Sequence, residues 1–512
     1  VVSLGRYGRP VFAVLVLLAL GAIYFAAGTG HPAAAARQAA QRAAESSRAA
    51  VSSAVRVCPA AGSVAPTVAS VAVTAVPGSA PAGPAIVTRL TPGGSPAPGA
   101  VVATDTRPGV LQISGVSAAA ALSSAQQAKQ PGSSPNVSTS AGRGGVQVTA
   151  TGAMAQGLAV EQTGPGGLVT AQCGAPGTSF WFVAPGQASA STIELYLANT
   201  GNQAADAQVS LLTDVTKGPP LLGNADNGIT VPPHSMVVQS LAALLQSSKV
   251  VALNISTSVG QVVAAVRESR SASNDGIWVP ATGAPTRHQV IPGVPGASGS
   301  RNLYIAVPGS AAAQVKITAV TGKGSYQPTG GTGIDLLGGS VVSIPLPSLG
   351  GVAGAISISS SEPVAATLQV SGGPAGASGA LAASAGPVTE QGVVADNPAK
   401  SAGKTEVVLT APKQAATVRI TTATTTVSAS GQPGQVVHVG AGSSVVVPVG
   451  PPAGGKATDF SVIVTPLSGS GPVYAGRAIT TGGTVQSILA VPSSPTWIPL
   501  PGVTDSLSAI LR

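Results

Sequence analysis

STIELYLAN (Ser191–Asn199) followed by ADAQVSLLT (Ala205–Thr213) is the stretch from which the fold is read. In both segments apolar and polar residues alternate with period two, and the turn-forming run NTGNQ (199–203) stands between them. Such alternation, bounded by turn residues, writes a strand with one buried face. The pair predicts two neighbouring strands of an antiparallel β-protein.

Downstream, the same script recurs in order. RNLYIAVPG (301–309) and AAQVKITAV (312–320) repeat it, and so do KTEVVLTAP (404–412) and AATVRITTA (415–423). Each pair is followed by three further alternating runs, such as DFSVIVTPL (459–467) and GPVYAGRAI (471–479), and in the first two pairs a Gly-rich loop comes between. A looser copy precedes them, with AIVTRLTPG (85–93) and RGGVQVTATG (143–152). Short strands at this spacing predict an all-β chain of tandem β-sandwich, immunoglobulin-like modules. The expected modules span residues 58–186, 187–283, 284–395 and 396–512, joined by Gly/Pro/Ser-rich linkers such as GVPGASGS (293–300).

Composition agrees with this reading. Of 512 residues, 44% are apolar but only 8% are charged, and Gly (66) and Pro (43) are abundant, which disfavours amphipathic helices. The net charge of +9 comes from scattered Lys and Arg, and aromatic residues make up 3%. Nucleic-acid binding calls for clustered cations, with stacking aromatics for single strands, so no nucleic-acid partner is expected.

The first residues set the expected compartment. Arg6 and Arg9 precede VFAVLVLLALGAIYFAAG (11–28), an uncharged run long enough for a bilayer core. It predicts a transmembrane helix with residues 1–10 as a cytoplasmic tail and the remainder exported. Its length favours an uncleaved anchor, while HPAAAARQ (31–38) offers the alternative of a cleaved signal and secretion from near Ala36. Residues 29–57 are expected to form a stalk, helical over 36–56, where Ala, Arg and Gln dominate. The expected localisation is the cell membrane, single-pass, with the C-terminus outside.

Two cysteines, Cys58 and Cys173, are too few for a structural metal site and suggest one bridge, two free thiols being the alternative. The three tryptophans share a local frame: SFWFVAPG (179–186), IWVPATG (277–283) and TWIPLPG (496–502) each place Gly five residues after Trp. Trp181, Trp278 and Trp497 are therefore expected to be structural, closing their modules as core residues. Stacking on carbohydrate is the competing reading.

Chemistry is sparse. His31, His234, His288 and His438 lie apart with no ligand partners at metal spacing, and His234 and His438 read as surface or edge residues. Asp226 and Asp275 adjoin Asn and Gly in turns. SAGKTEVV (401–408) carries Gly403-Lys404-Thr405, the end of a phosphate loop, but Pro398 stands where the first glycine belongs and a strand follows. No catalytic, metal or cofactor-binding residue is assigned, and no cofactor is expected.

Cys58-Pro59, LAVEQ (158–162), AQCGAPGTSFWFV (171–183) and LYLANTG (195–201) together resemble a family of actinobacterial exported proteins of unknown function. The resemblance implies a secreted or membrane-tethered envelope protein and brings no catalytic residues. The functional expectation is a structural or protein-interaction role in the envelope. Binding of cell-wall polysaccharide is the alternative, and an enzyme ranks third.

Overall fold

Ala205–Thr213 shows how alternation becomes a sheet. Ala205, Ala207, Val209 and Leu211 are buried while Gln208 faces solvent. The strand runs antiparallel to Val250–Val259, with Val209 opposite Ile255 and Leu211 opposite Leu253. The other edge of Val250–Val259 is paired by Ser179–Pro185. A facing layer is centred on Ser191–Asn199, which lies between Ser235–Ser240 and Val263–Arg270. Phe182, Leu211 and Leu253 from one layer meet Ile193, Leu195, Leu197 and Val266 from the other, none more than 1% exposed. Each such side chain contributes about 1.5–3 kcal/mol by leaving water.

The computed structural model describes residues 48–59, 69–74, 81–92, 101–105, 110–116, 145–163, 170–186, 191–214, 221–222, 228–241, 245, 248–270, 276–296, 299–371, 379–399, 403–424, 433–453 and 459–499. Among them no α-helix occurs, and helical backbone is confined to a 3₁₀ turn at Gly152–Met154. Residues 51–496 form one compact unit. The described part of the other unit is a two-stranded ribbon, Arg48–Ala50 antiparallel to Trp497–Pro499.

Within residues 51–496, three further cores follow the same plan. An early core gathers Val87, Val148, Ala150, Leu158 and Val160 around Cys58 and Cys173. A third is enclosed by a folded sheet in which one strand, Gly354–Ser371, serves both layers. Its first half pairs with Ala313–Thr321 and its second with Ser300–Val307, turning past a partly exposed stretch at Ser360–Pro363. The sequence pattern reads this strand as two runs, VAGAISISS (352–360) and EPVAATLQV (362–370). The fourth core packs Val407 and Leu409 against Val418, Ile420, Phe460 and Val462.

These cores are fused. Ser235–Ser240 adds in parallel to Ala85–Pro92, so one eight-stranded sheet runs from the early core into the next. Tyr196 and Ala198, on the outer face of Ser191–Asn199, pack with Val57 and Leu90. Tyr304, Ala365 and Leu381 extend the second core toward the third, and Val485 and Ile488 extend the third toward the fourth. Where Thr286–Val294 crosses Tyr474–Thr481, Gly293 and Gly476 touch backbone to backbone: a Cβ on Gly476 would sit 2.5 Å from Gly293 Cα. The circuit then closes, because Ala159 of the early core packs with Val393, Ala395 and Ile463 of the fourth. The ends of the unit also meet, Val51 N–H donating to Thr496 O at 2.9 Å.

The expected architecture is corrected accordingly. The helical stalk is overturned where it is described: Arg48–Ala50 and Ser53–Pro59 are strands, and the latter pairs with Gly145–Thr151 with Val57 and Cys58 buried. Helix propensity is a weak preference, and sheet pairing with burial overrides it. No described helix is long and apolar enough to cross a membrane, and the expected transmembrane helix at residues 11–28 lies outside the described residues. In place of separate sandwiches in tandem, sheets and cores run continuously through one unit.

Candidate functional site

A partly open cleft of about 440 Å³ lies where all four cores approach one another. Phe180 and Trp278 come from strands of the second core, Leu381 from Ala380–Ala383, and Ile488 from Thr484–Ala490. Gln162 and Gln172 come from the early core and Gln486 from the fourth. Among the described residues, no Asp, Glu, Lys, Arg or His lines it. The small residues of QCGAPG (172–177) leave the space open. At Gly174 an added Cβ would stand 2.7 Å from Val263 Cγ1, and at Gly177 one would stand 3.0 Å from Phe180 Cζ. Trp278 is held edge-on against Tyr196, with centroids 5.1 Å apart and planes at 64°.

Behind the cleft is a buried charge cluster. The guanidinium of Arg477 stands 2.9 Å from the Glu161 carboxylate, both side chains being at most 2% exposed. Arg477 Nη1 also donates to the Asp396 carbonyl at 2.7 Å, and Nη2 donates to Ser487 Oγ at 3.1 Å. The Asp396 N–H donates to Glu161 Oε2 at 3.1 Å, and the Thr163 hydroxyl donates to the Asp396 carboxylate. Ser487 lines the cleft as well, so cluster and cleft share a wall. Burial, then the Glu161 and Asp459 charges, outweigh the Thr163 hydroxyl and the Arg477 cation and push the Asp396 carboxyl up to about 7. Chemically, the cluster ties the early core to the fourth with charge-assisted bonds.

Cys58 and Cys173 are joined in a disulfide, with Cα atoms 4.5 Å apart, and both are buried. The bridge ties Ser53–Pro59 to the residue after Thr170–Gln172, and Cys173 itself lines the cleft. The tryptophans do not occupy equivalent places. Trp181 sits opposite Asn254 in a strand that belongs to the second core, Trp278 sits opposite Arg267 on an edge strand, and Trp497 sits opposite Ala50 in the terminal ribbon. The first two are half-buried, and Trp497 is 39% exposed. The shared local frame is thus not a shared module-closing position: a Trp-to-Gly spacing records turn chemistry, whereas burial depends on which sheet the strand joins.

His234 is 8% exposed rather than a surface residue, adopts φ 48°, and bonds through Nε2 to Asn202 Oδ1 at 2.8 Å. His438 lies on the strand Gln435–Val439, exposed and 3.1 Å from Thr417 Oγ1. His288 is exposed, and His31, Asp226 and Asp275 fall outside the described residues. Gly403-Lys404-Thr405 opens a strand, Lys404–Ala411, as the sequence suggests. Among the described residues no group of His, Cys, Asp and Glu is arranged to hold a metal ion.

Sequence reasoning missed Glu161, Asp396 and Arg477. The signal was a lone charge inside an apolar run, in LAVEQ, GVVADNP (392–398) and VYAGRAI (473–479), since charged groups enter a core only when paired.

Compared with known families, residues 124–450 match the profile of a Family of unknown function (DUF5719). That span includes Glu161, Cys173, Trp181, Trp278 and Asp396 and leaves out Cys58, Arg477 and Trp497. A comparison with curated proteins gives no match.

Proposed function

From the premise that this chain belongs to the DUF5719 family of unknown function, we propose an exported envelope protein that acts through its folded surface, in a structural or protein-interaction role. The observation that carries this reading is the buried Cys58–Cys173 bridge, because disulfides form and persist in oxidising compartments outside the cytosol. The apolar run 11–28 behind Arg6 and Arg9 supports a membrane tether for the same topology. The Ala/Gly/Val/Pro-rich composition fits an actinobacterial source, as the resemblance in the Cys-to-Trp segment implies. A non-enzymatic role fits the charge cluster, whose carboxylates are committed to Arg477, a backbone amide and a hydroxyl in joining two cores.

Fractionation of the native host tests the proposal. The full-length protein is expected in the membrane fraction, open to protease on intact protoplasts and with no alkylatable thiol. A secreted form beginning near Ala36 would replace the tether by cleavage. Recovery from cytosol with two free thiols would refute export altogether.

Cell-wall polysaccharide binding is the second reading, favoured by one observation: Trp497 is exposed, at 39%, and offers an aromatic ring to solvent. A pull-down with purified cell wall distinguishes the two. Saturable binding lost in Trp497→Ala would favour the glycan reading.

A further inference from the structure

We propose that the cleft within residues 51–496 is a binding site for one small, neutral, largely apolar molecule carrying at least one hydrogen-bonding group. The volume of about 440 Å³ falls within the range of ligand sites, roughly 300–1,000 Å³. Left to solvent it would hold water against walls that are largely apolar. Displacing such water with apolar surface is favourable.

The lining sets the ligand's chemistry. Phe180, Trp278, Leu381 and Ile488 present aromatic and aliphatic surface from four different sheets. An ion entering this space would give up hydration and meet no charged side chain among the described lining residues; Glu161 and Arg477 are paired with each other behind Ser487, and Arg267 and Glu268, opposite Trp278 and Ile277 on the neighbouring strand, are buried and outside the lining. The ligand is therefore neutral. Side-chain amides of Gln162, Gln172 and Gln486 offer both donors and acceptors, which suit a hydroxyl, carbonyl or amide on an otherwise apolar body.

The site is also built in advance. Its walls stand on paired strands, Gln162 on Ala159–Thr163, Trp278 on Val263–Arg270's neighbour Gly276–Val279, and Ile488 on Thr484–Ala490. The disulfide fixes the loop through Cys173 that forms part of the wall. A preformed cleft spares the cost of ordering its own walls, and a small molecule, unlike a peptide, adds little ordering cost of its own on docking.

The test uses the full-length chain in lipid nanodiscs, with protein-free nanodiscs as the blank. The neutral probe N-phenyl-1-naphthylamine is titrated in and read by its own emission and by energy transfer from tryptophan. Saturable binding of one probe per chain is expected, and Trp278→Phe should reduce the transfer while directly excited probe emission persists. Ala171→Phe and Ala281→Phe, at solvent-reachable positions on the cleft wall, are expected to weaken binding at least tenfold with the unfolding midpoint unchanged. The anionic relative 1-anilinonaphthalene-8-sulfonate should bind at least tenfold more weakly than the neutral probe. Absence of saturable binding above the blank, affinity unchanged in both filled variants, or equal affinity for the anion would overturn the proposal.

Discussion

Glu161 and Arg477 form an ion pair of 2.9 Å that is sealed from solvent and joins an early strand of the chain to one of its last. With Asp396 tied to Glu161 by a backbone bond and to Thr163 by its side chain, the pair makes residues 51–496 a closed unit. Buried charges of this kind contribute modestly when intact and are costly to break singly.

Acidification is expected to stabilise the closed unit through Asp396. Its carboxyl titrates near 7 in the folded protein and near 3.8 when unfolded. Between those values the folded state holds a proton that the unfolded chain has released. The contribution of this group is therefore fully present below about pH 4 and is lost as pH rises through about 7, with a slope of at most about 1.4 kcal/mol per pH unit. Urea unfolding across pH 4–8, compared with Asp396→Asn, reads it out. The variant should lack this component of the slope, and identical profiles would contradict the assignment.

Gly476→Ala should destabilise by about 1–3 kcal/mol, because the new Cβ meets the backbone of Pro292 and Gly293, which cannot turn aside as a side chain could. Gly293→Ala should cost more, since Gly293 also sits at φ 79°. Thermal unfolding ranks the two. An unchanged midpoint for both would mean that Thr286–Val294 and Tyr474–Thr481 do not cross as described.

Replacing both Cys58 and Cys173 by Ala should lower stability by about 2–5 kcal/mol, since the bridge closes a separation of 115 residues and removes much freedom from the unfolded chain. Both sulfurs are buried, so mild reductant should act only as fast as the protein opens. Rapid reduction of the folded protein would argue against their burial.

Much of the sheet content was legible because period-two alternation reports one buried face directly. Ser191–Asn199 and Ala205–Thr213 are strands with the bounds their pattern suggests. The N-terminal stretch misled at Arg48–Ala50 and Ser53–Pro59, where Ala-rich sequence prefers helix locally but distant strands supply sheet partners. Trp497 misled because a local frame cannot say which sheet its strand joins. The charge cluster was hidden for a related reason: 235 residues separate Glu161 from Asp396, and only the meeting of early and late cores brings them together. The cleft shares this origin, its walls coming from segments that no local window contains.

The central claim is that the early and late cores of residues 51–496 are locked together at Glu161 and Arg477. A double-mutant cycle on equilibrium unfolding, with Glu161→Gln, Arg477→Met and the combination, measures this contact directly. Each single change is expected to cost about 3–5 kcal/mol by stranding its partner's charge or donors, and the double to cost clearly less than the sum, giving a coupling above about 1 kcal/mol. Additivity within about 0.5 kcal/mol would mean that the two side chains do not touch and that the unit is not closed there.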